Sequence, residues 1–261
     1  MKILTLSNCF FFALTLPLTT ITLSAAHAQQ PVSGYDYLTP EMQEMQIDDF
    51  GNPGMLTVDA GEILFSTAGK NGKSCASCHG EDGSKLDIKH IASYPVYSTE
   101  LKKPLTLRGQ ILLCQDERIG GPSLEHSSAE ALQLEAFVRR LALGETVNVD
   151  VSGEMAPYYE AGKNLFHTRW GQVDIACHQC HVYHAGRTFR GQTLSQGQSN
   201  GFPGYRYTAG QAVSTPERIT GCLANLRAEP YASDSVEYIN LEVYMNARGN
   251  GLKIETPGIR Y

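Results

Sequence analysis

Residues 74–80 read SCASCHG and residues 176–182 read ACHQCHV, so the chain carries Cys-x-x-Cys-His twice. This pattern is the attachment site of c-type haem. Two thiols add to the haem vinyl groups as thioethers, and the adjacent imidazole ligates the iron. Cys75, Cys78, Cys177 and Cys180 are therefore expected to hold two covalently bound haem c groups, with His79 and His181 as the first axial iron ligands. A lone Cys-x-x-Cys would suit zinc or thiol redox chemistry as well. Two copies, each with its histidine, favour haem over zinc or disulfides.

The similarity extends outward from the two motifs. GEILFSTAGKNGKSCASCHG precedes and includes the first, and GKNLFHTRWGQVDIACHQCHV the second, so Gly61, Leu64 and Phe65 match Gly162, Leu165 and Phe166. Positions i, i+3 and i+4 share a helical face, which predicts an amphipathic helix before each motif. Downstream, LEAFVRRLALGE at 134–145 parallels LEVYMNARGNGL at 241–252. The first predicts a helix stopped near Gly144, and the second breaks at Gly249-Asn250-Gly251. Helix, Cys-x-x-Cys-His, long loop and terminal helix is the plan of a class I cytochrome c domain. The expected fold is all-α, mostly helical with long loops, as two such domains in tandem. Their boundaries are 29–148 and 149–261, joined within GETVNVDVSGEMAPYY. Residues 29–55 belong to neither motif and are read as a helical extension on the first domain.

The chain has 261 residues and a formal net charge of −6, which argues against nucleic acid as a partner. Lys2, an uncharged apolar run and Ala26-His27-Ala28 read as a cleaved signal peptide over residues 1–28. The expected location is the periplasm. No other apolar run approaches the ~20 residues of a membrane helix, so the mature chain is expected to have no span.

A second axial ligand is needed for each haem. No methionine lies between His79 and Leu134 or between His181 and Leu241. Each loop does carry one cysteine, Cys114 and Cys222, at matching distances before the terminal helices. Each is expected to ligate its own haem iron. A Cys114–Cys222 disulfide and ligation by His90, His126, His178 or His184 are the alternatives. A thiolate ligand stabilises the ferric state and lowers the reduction potential, and its sulfur is also a candidate reactive group.

Paired motifs, a lone cysteine after each, PERITGC at 216–222 and NARGNG at 246–251 make the chain similar to the SoxA family. These are the dihaem cytochrome subunits of SoxAX complexes in periplasmic thiosulfate oxidation. The resemblance spans nearly the whole chain after residue 28. It implies an L-cysteine S-thiosulfotransferase that joins thiosulfate to a cysteine of a SoxYZ carrier protein. It also implies a heterodimer with the monohaem SoxX subunit, and a c-type cytochrome as electron acceptor. By the same resemblance Cys222 is the active-site cysteine and the second haem's ligand, with Arg218 and Arg248 as its arginines. Arginine suits thiosulfate, a small dianion with terminal oxygens. Arg218 precedes Cys222 by one helical turn, whereas Arg108 in the first half precedes Cys114 by six residues. Arg206 and Arg227 are read as solvated surface and left outside the site. A dihaem thiosulfate dehydrogenase, which needs no carrier, and a plain periplasmic electron-transfer cytochrome are the competing functions.

Overall fold

A computed structural model describes residues 30–261; the expected signal peptide at 1–28 lies outside the described residues. The described chain enters through a 3-10 turn, Gly34–Tyr37, and α1, Pro40–Ile47. Then come α2 (Met55–Ser66), α3 (Cys75–His79), α4 (Ile88–Ala92), α5 (Leu107–Cys114) and α6 (Ala129–Leu141). The second half has α7 (Ala156–His167), α8 (Thr215–Asn225) and α9 (Val236–Ala247). Several starts are fixed locally. Thr39, Ser128, Ser214 and Ser235 each accept a hydrogen bond from a backbone N–H of the first turn. Ser214 and Glu217 form a reciprocal capping box, which sets where α8 begins.

The two halves repeat one helix crossing. α2 packs on α6, and α7 packs on α9. A Cβ at Gly61 would lie 2.0 Å from the Gln133 carbonyl oxygen, and one at Gly162 would lie 1.9 Å from that of Asn240. Only glycine permits so close an approach of backbones. The crossing brings Phe65 to 5.1 Å from Phe137, and Phe166 to 5.2 Å from Tyr244, ring centre to ring centre. Phe65 lies 6.4 Å from His79, and Phe166 lies 6.4 Å from His181, both tilted by 38°.

Each crossing organises its own core. Val58, Phe65, Leu134, Phe137 and Val138 belong to the first, against which Cys75 packs. Phe166, Ile219, Leu223, Tyr238, Leu241 and Tyr244 form the second, against which Cys177 packs. Residues 31–261 nonetheless form one compact unit. Val147 and Val149, at the expected join, are buried in the first core together with Ile254 from the far end of the chain. Between the cores lies a buried ionic layer. Arg108 pairs with Glu135 at 2.7 Å, and Arg139 Nη2 donates to Asn246 Oδ1 at 3.4 Å.

The loops carry more strand than an all-α chain would. Strand β1 (Val96–Ser98) pairs with β2 (Lys103–Leu105), β3 (Arg169–Trp170) with β4 (Ile175–Ala176), and β5 (Thr188–Phe189) with β6 (Gln192–Thr193). A three-stranded sheet centres on β7 (Gly204–Arg206), with β8 (Gln211–Val213) antiparallel on one side and β9 (Gly258–Arg260) parallel on the other. All are two or three residues long, so they pin loops rather than build a layer.

Residues 30–55 are helical in part, as expected, but they dock mainly on the chain's last strand rather than on the first half. Gln46 Oε1 accepts from Ile259 N–H and Arg260 Nη1, each at 2.8 Å. Asn52 Nδ2 donates to the Pro257 carbonyl at 2.8 Å, and Ser33 Oγ donates to Glu255 Oε1 at 2.5 Å. One exposed pair, Arg140 with Asp49 at 2.7 Å, reaches the first half.

Candidate functional site

The first motif forms a short helix, α3, begun by a Ser74–Ser77 capping box and ended by Gly80 at φ 86°. The second is built differently. Cys177 follows β4 directly, and Cys180 and His181 sit on a π-helical turn, Gln179–Tyr183. All six described cysteines are free thiols, so Cys114 and Cys222 are not joined.

Each loop cysteine meets its own motif. Cys114, the last residue of α5, lies within electrostatic reach of Cys75 and Cys78. Cys222, within α8, lies within reach of Cys177 and Cys180. Burial and the neighbouring thiols push Cys75 up to about 11 and Cys177 up to about 12. His181 is oriented through its other nitrogen. Nδ1 lies 2.8 Å from the Ser195 carbonyl, which can only accept, so Nδ1 carries the hydrogen and Nε2 is presented bare. Gly197, at φ 79°, lets the loop pass under this ring; a Cβ there would lie 3.0 Å from His181 Cγ. His181 acts electrostatically on the Cys222 sulfur, so imidazole and thiol lie near one another. Two thiols for thioether bonds, a bare imidazole nitrogen and a nearby sulfur fit a haem c group at this site.

The two loop cysteines differ in their electrostatics. Burial and the nearby Cys78 push the Cys114 thiol up. Burial also works against a Cys222 thiolate, but Arg218, His181 and Arg206 outweigh it and hold that thiol down at about 7. Arg218 Nη1 donates to Cys222 Sγ at 3.0 Å, as one turn of α8 dictates. In the first half Arg108 turns away from Cys114. Its side chain is 2% exposed, paired with Glu135, and donates from Nη1 to the His126 carbonyl at 2.7 Å.

Arg248 follows α9 but is engaged on another wall. Its Nη2 donates to the Gln196 carbonyl at 3.0 Å, and its guanidinium lies 5.1 Å over Phe166 and 5.7 Å over Tyr244. Its buried Nε has no hydrogen-bond partner. Arg227 is an exposed contact to Gln172, as the sequence suggested. Arg206 is the residue that the sequence reading missed. It is half-buried on β7, and its charge acts on both Cys222 and Arg218. No local pattern marks it; the β7–β8 hairpin delivers it beside α8.

Duplicated thiols and imidazoles, each set on the same helix crossing, define a c-type cytochrome. The SoxA/TsdA cytochrome c domain family matches residues 60–147. An L-cysteine S-thiosulfotransferase subunit SoxA from Pseudaminobacter salicylatoxidans is 38% identical over 247 residues, covering 92% of this chain and 86% of that protein. Its counterpart in Rhodovulum sulfidophilum is 34% identical over 230 residues, covering 87% and 79%. The crystal structure of SoxXA from P. pantotrophus aligns with a TM-score of 0.81 at 33% identity, over 88% of this chain and 87% of the matched one. The chain belongs to the SoxA family.

Proposed function

We propose that this chain is the dihaem, catalytic subunit of a periplasmic L-cysteine S-thiosulfotransferase. It works as two tandem class I cytochrome c domains, 29–148 and 149–261, with chemistry confined to the second. An S–S bond forms between a cysteine of a SoxYZ carrier and the terminal sulfur of thiosulfate; one proton and two electrons leave. Covalently held haem c supplies the route for those electrons, toward SoxX and a c-type cytochrome acceptor. His79 with Cys114, and His181 with Cys222, would hold the two haem irons. The repeated crossing, with Phe65 on His79 and Phe166 on His181 at one common spacing, supports the tandem reading.

One observation carries the assignment: the Arg218 guanidinium rests on the Cys222 sulfur at 3.0 Å, while its counterpart Arg108 is locked in an ion pair. A fixed cation there favours the anionic sulfur and attracts the thiosulfate dianion toward it. Arg248, with a free buried Nε, offers a second donor from the Phe166 side. Only the second half combines a low-pKa thiol with unpaired arginine, which separates an enzyme from an electron carrier. Among the described residues no helix is long and apolar enough to cross a membrane.

The test uses the holoprotein with SoxX, reduced carrier, thiosulfate and an oxidised cytochrome c. Mass spectrometry should find a thiosulfonate adduct on the carrier cysteine, and an added sulfur or thiosulfate on the Cys222 peptide, residues 219–227. Cys222→Ser should abolish both. Tetrathionate formed at full rate without carrier would refute this reading in favour of a thiosulfate dehydrogenase.

A further inference from the structure

Arg206 stands apart from the other covered arginines. Arg108 pairs with Glu135, Arg260 with Glu255, and Arg139 bonds Asn246. Among the described residues the Arg206 guanidinium has neither an ion pair nor a hydrogen bond, although it is half-buried. The charged groups that act on it are another cation, Arg218, and the Cys222 sulfur. Burial and Arg218 lower the Arg206 pKa to about 10, against the opposing pull of Cys222. Two guanidinium groups that share only the Cys222 sulfur as counter-charge raise the folded state's energy. A fold retains such an arrangement when an anion relieves it.

The backbone aims Arg206 at this place. It ends β7, where it sits opposite Gln211 on β8 and Arg260 on β9. Its carbonyl accepts from Ala209 N–H at 3.0 Å and from Gly210 N–H at 2.9 Å, which closes the hairpin. β8 then runs into Ser214, fully buried, whose capping box starts α8. The hairpin therefore runs directly into α8, so one continuous stretch of chain carries Arg206, Arg218 and Cys222.

We propose that Arg206 is a third anion-binding residue of the active site, forming with Arg218 a paired guanidinium clamp for the sulfonate end of thiosulfate beside Cys222. This rests on the thiosulfate reading above and adds the residue that sets affinity for the dianion. Two guanidinium forks can engage three sulfonate oxygens while leaving the terminal sulfur toward Cys222.

The test compares wild type, Arg206→Gln and Arg206→Lys as holoproteins in complex with SoxX. Without added anion, Arg206→Gln should melt at or above the wild-type temperature, because it relieves repulsion and breaks no pair. Thiosulfate should raise the wild-type melting temperature, and Arg206→Gln should need roughly ten- to hundred-fold more for the same rise. The KM for thiosulfate should increase over the same range, with Arg206→Lys recovering part of it. An Arg206→Gln protein that melts well below wild type would make Arg206 structural and overturn the proposal. So would an unchanged thiosulfate dose response and KM. If the wild type conjugates no thiosulfate but sulfate stabilises it in an Arg206-dependent way, the clamp stands and the substrate assignment falls.

Discussion

Replacing Gly162 with alanine tests whether one helix crossing sets both the fold and the site. The new Cβ would lie 1.9 Å from the Asn240 carbonyl oxygen, 2.6 Å from its carbon and 2.9 Å from Tyr244 Cβ. The first two are backbone atoms of α9, so no side chain can rotate aside. Ordinary contact begins near 3.4 Å, so α7 and α9 must separate by about 1.5 Å at this point. Overpacking of this kind costs up to about 3 kcal/mol. Alanine returns about 1 kcal/mol in helix propensity, leaving a net loss of about 2 kcal/mol. For a chain of this size that corresponds to roughly 4–8 °C in melting temperature. The displacement also moves Phe166 relative to His181 and Arg248. Thermal and urea unfolding of the holoprotein measure the loss, and the absorption spectrum of the second haem reports the ring movement. Gly61→Ala should behave alike, its Cβ falling 2.0 Å from the Gln133 carbonyl oxygen. Gly221→Ala is the control of opposite sign: nothing but Arg218 Nη1, at 3.9 Å, comes near, so helix propensity should stabilise it slightly. Gly162→Ala melting at or above wild type would refute the close-crossing argument.

Other consequences are equally direct. Burial, reinforced by Glu135 and opposed by Arg108 and Arg139, raises Glu242 to about 8. The folded protein therefore holds a proton that the unfolded chain releases near pH 4.5, and stability should fall as pH rises from about 4.5 to about 8, by up to about 5 kcal/mol. Glu242→Gln should flatten that slope in urea titrations run across this window. Arg108→Met leaves the Glu135 carboxylate without its buried partner and should cost about 3–5 kcal/mol in the same assay. Gln46→Ala strips the acceptor from Ile259 N–H and Arg260, which should cost about 1–3 kcal/mol and speed hydrogen exchange at residues 258–260.

Much of the site is local in sequence, and that part was readable. Cys-x-x-Cys-His fixes its own chemistry by spacing, and Arg218 reaches Cys222 because four residues make one turn. The glycine and phenylalanine repeats likewise announced a helix before each motif. What the sequence concealed depends on partners far along the chain. Arg206 enters through a hairpin whose strands are three residues each, too short to show a period. Arg248 lies near the motif in number, yet its guanidinium is drawn to Phe166 and the Gln196 carbonyl. The buried charges of Arg108, Arg139 and Glu242 sit on helix faces that read as ordinary amphipathic surfaces. They are covered only because the two halves meet there. The docking of residues 30–55 on β9 follows from side-chain amides, which leave no hydrophobic pattern.

That docking makes a clasp across the molecule's history as well as its surface. Asn52 meets Pro257 across 205 positions of sequence, and Ser33 meets Glu255 across 222. Contacts so distant close late, because loop entropy must be overcome before they contribute. A chain in which this clasp is open therefore keeps its leading segment undocked, uncovering Met42 and Gln46 alongside an unpaired β7 edge. Such a chain is an open substrate for proteases. Closure of the clasp thus seals the leading helix and the β7 edge in one step.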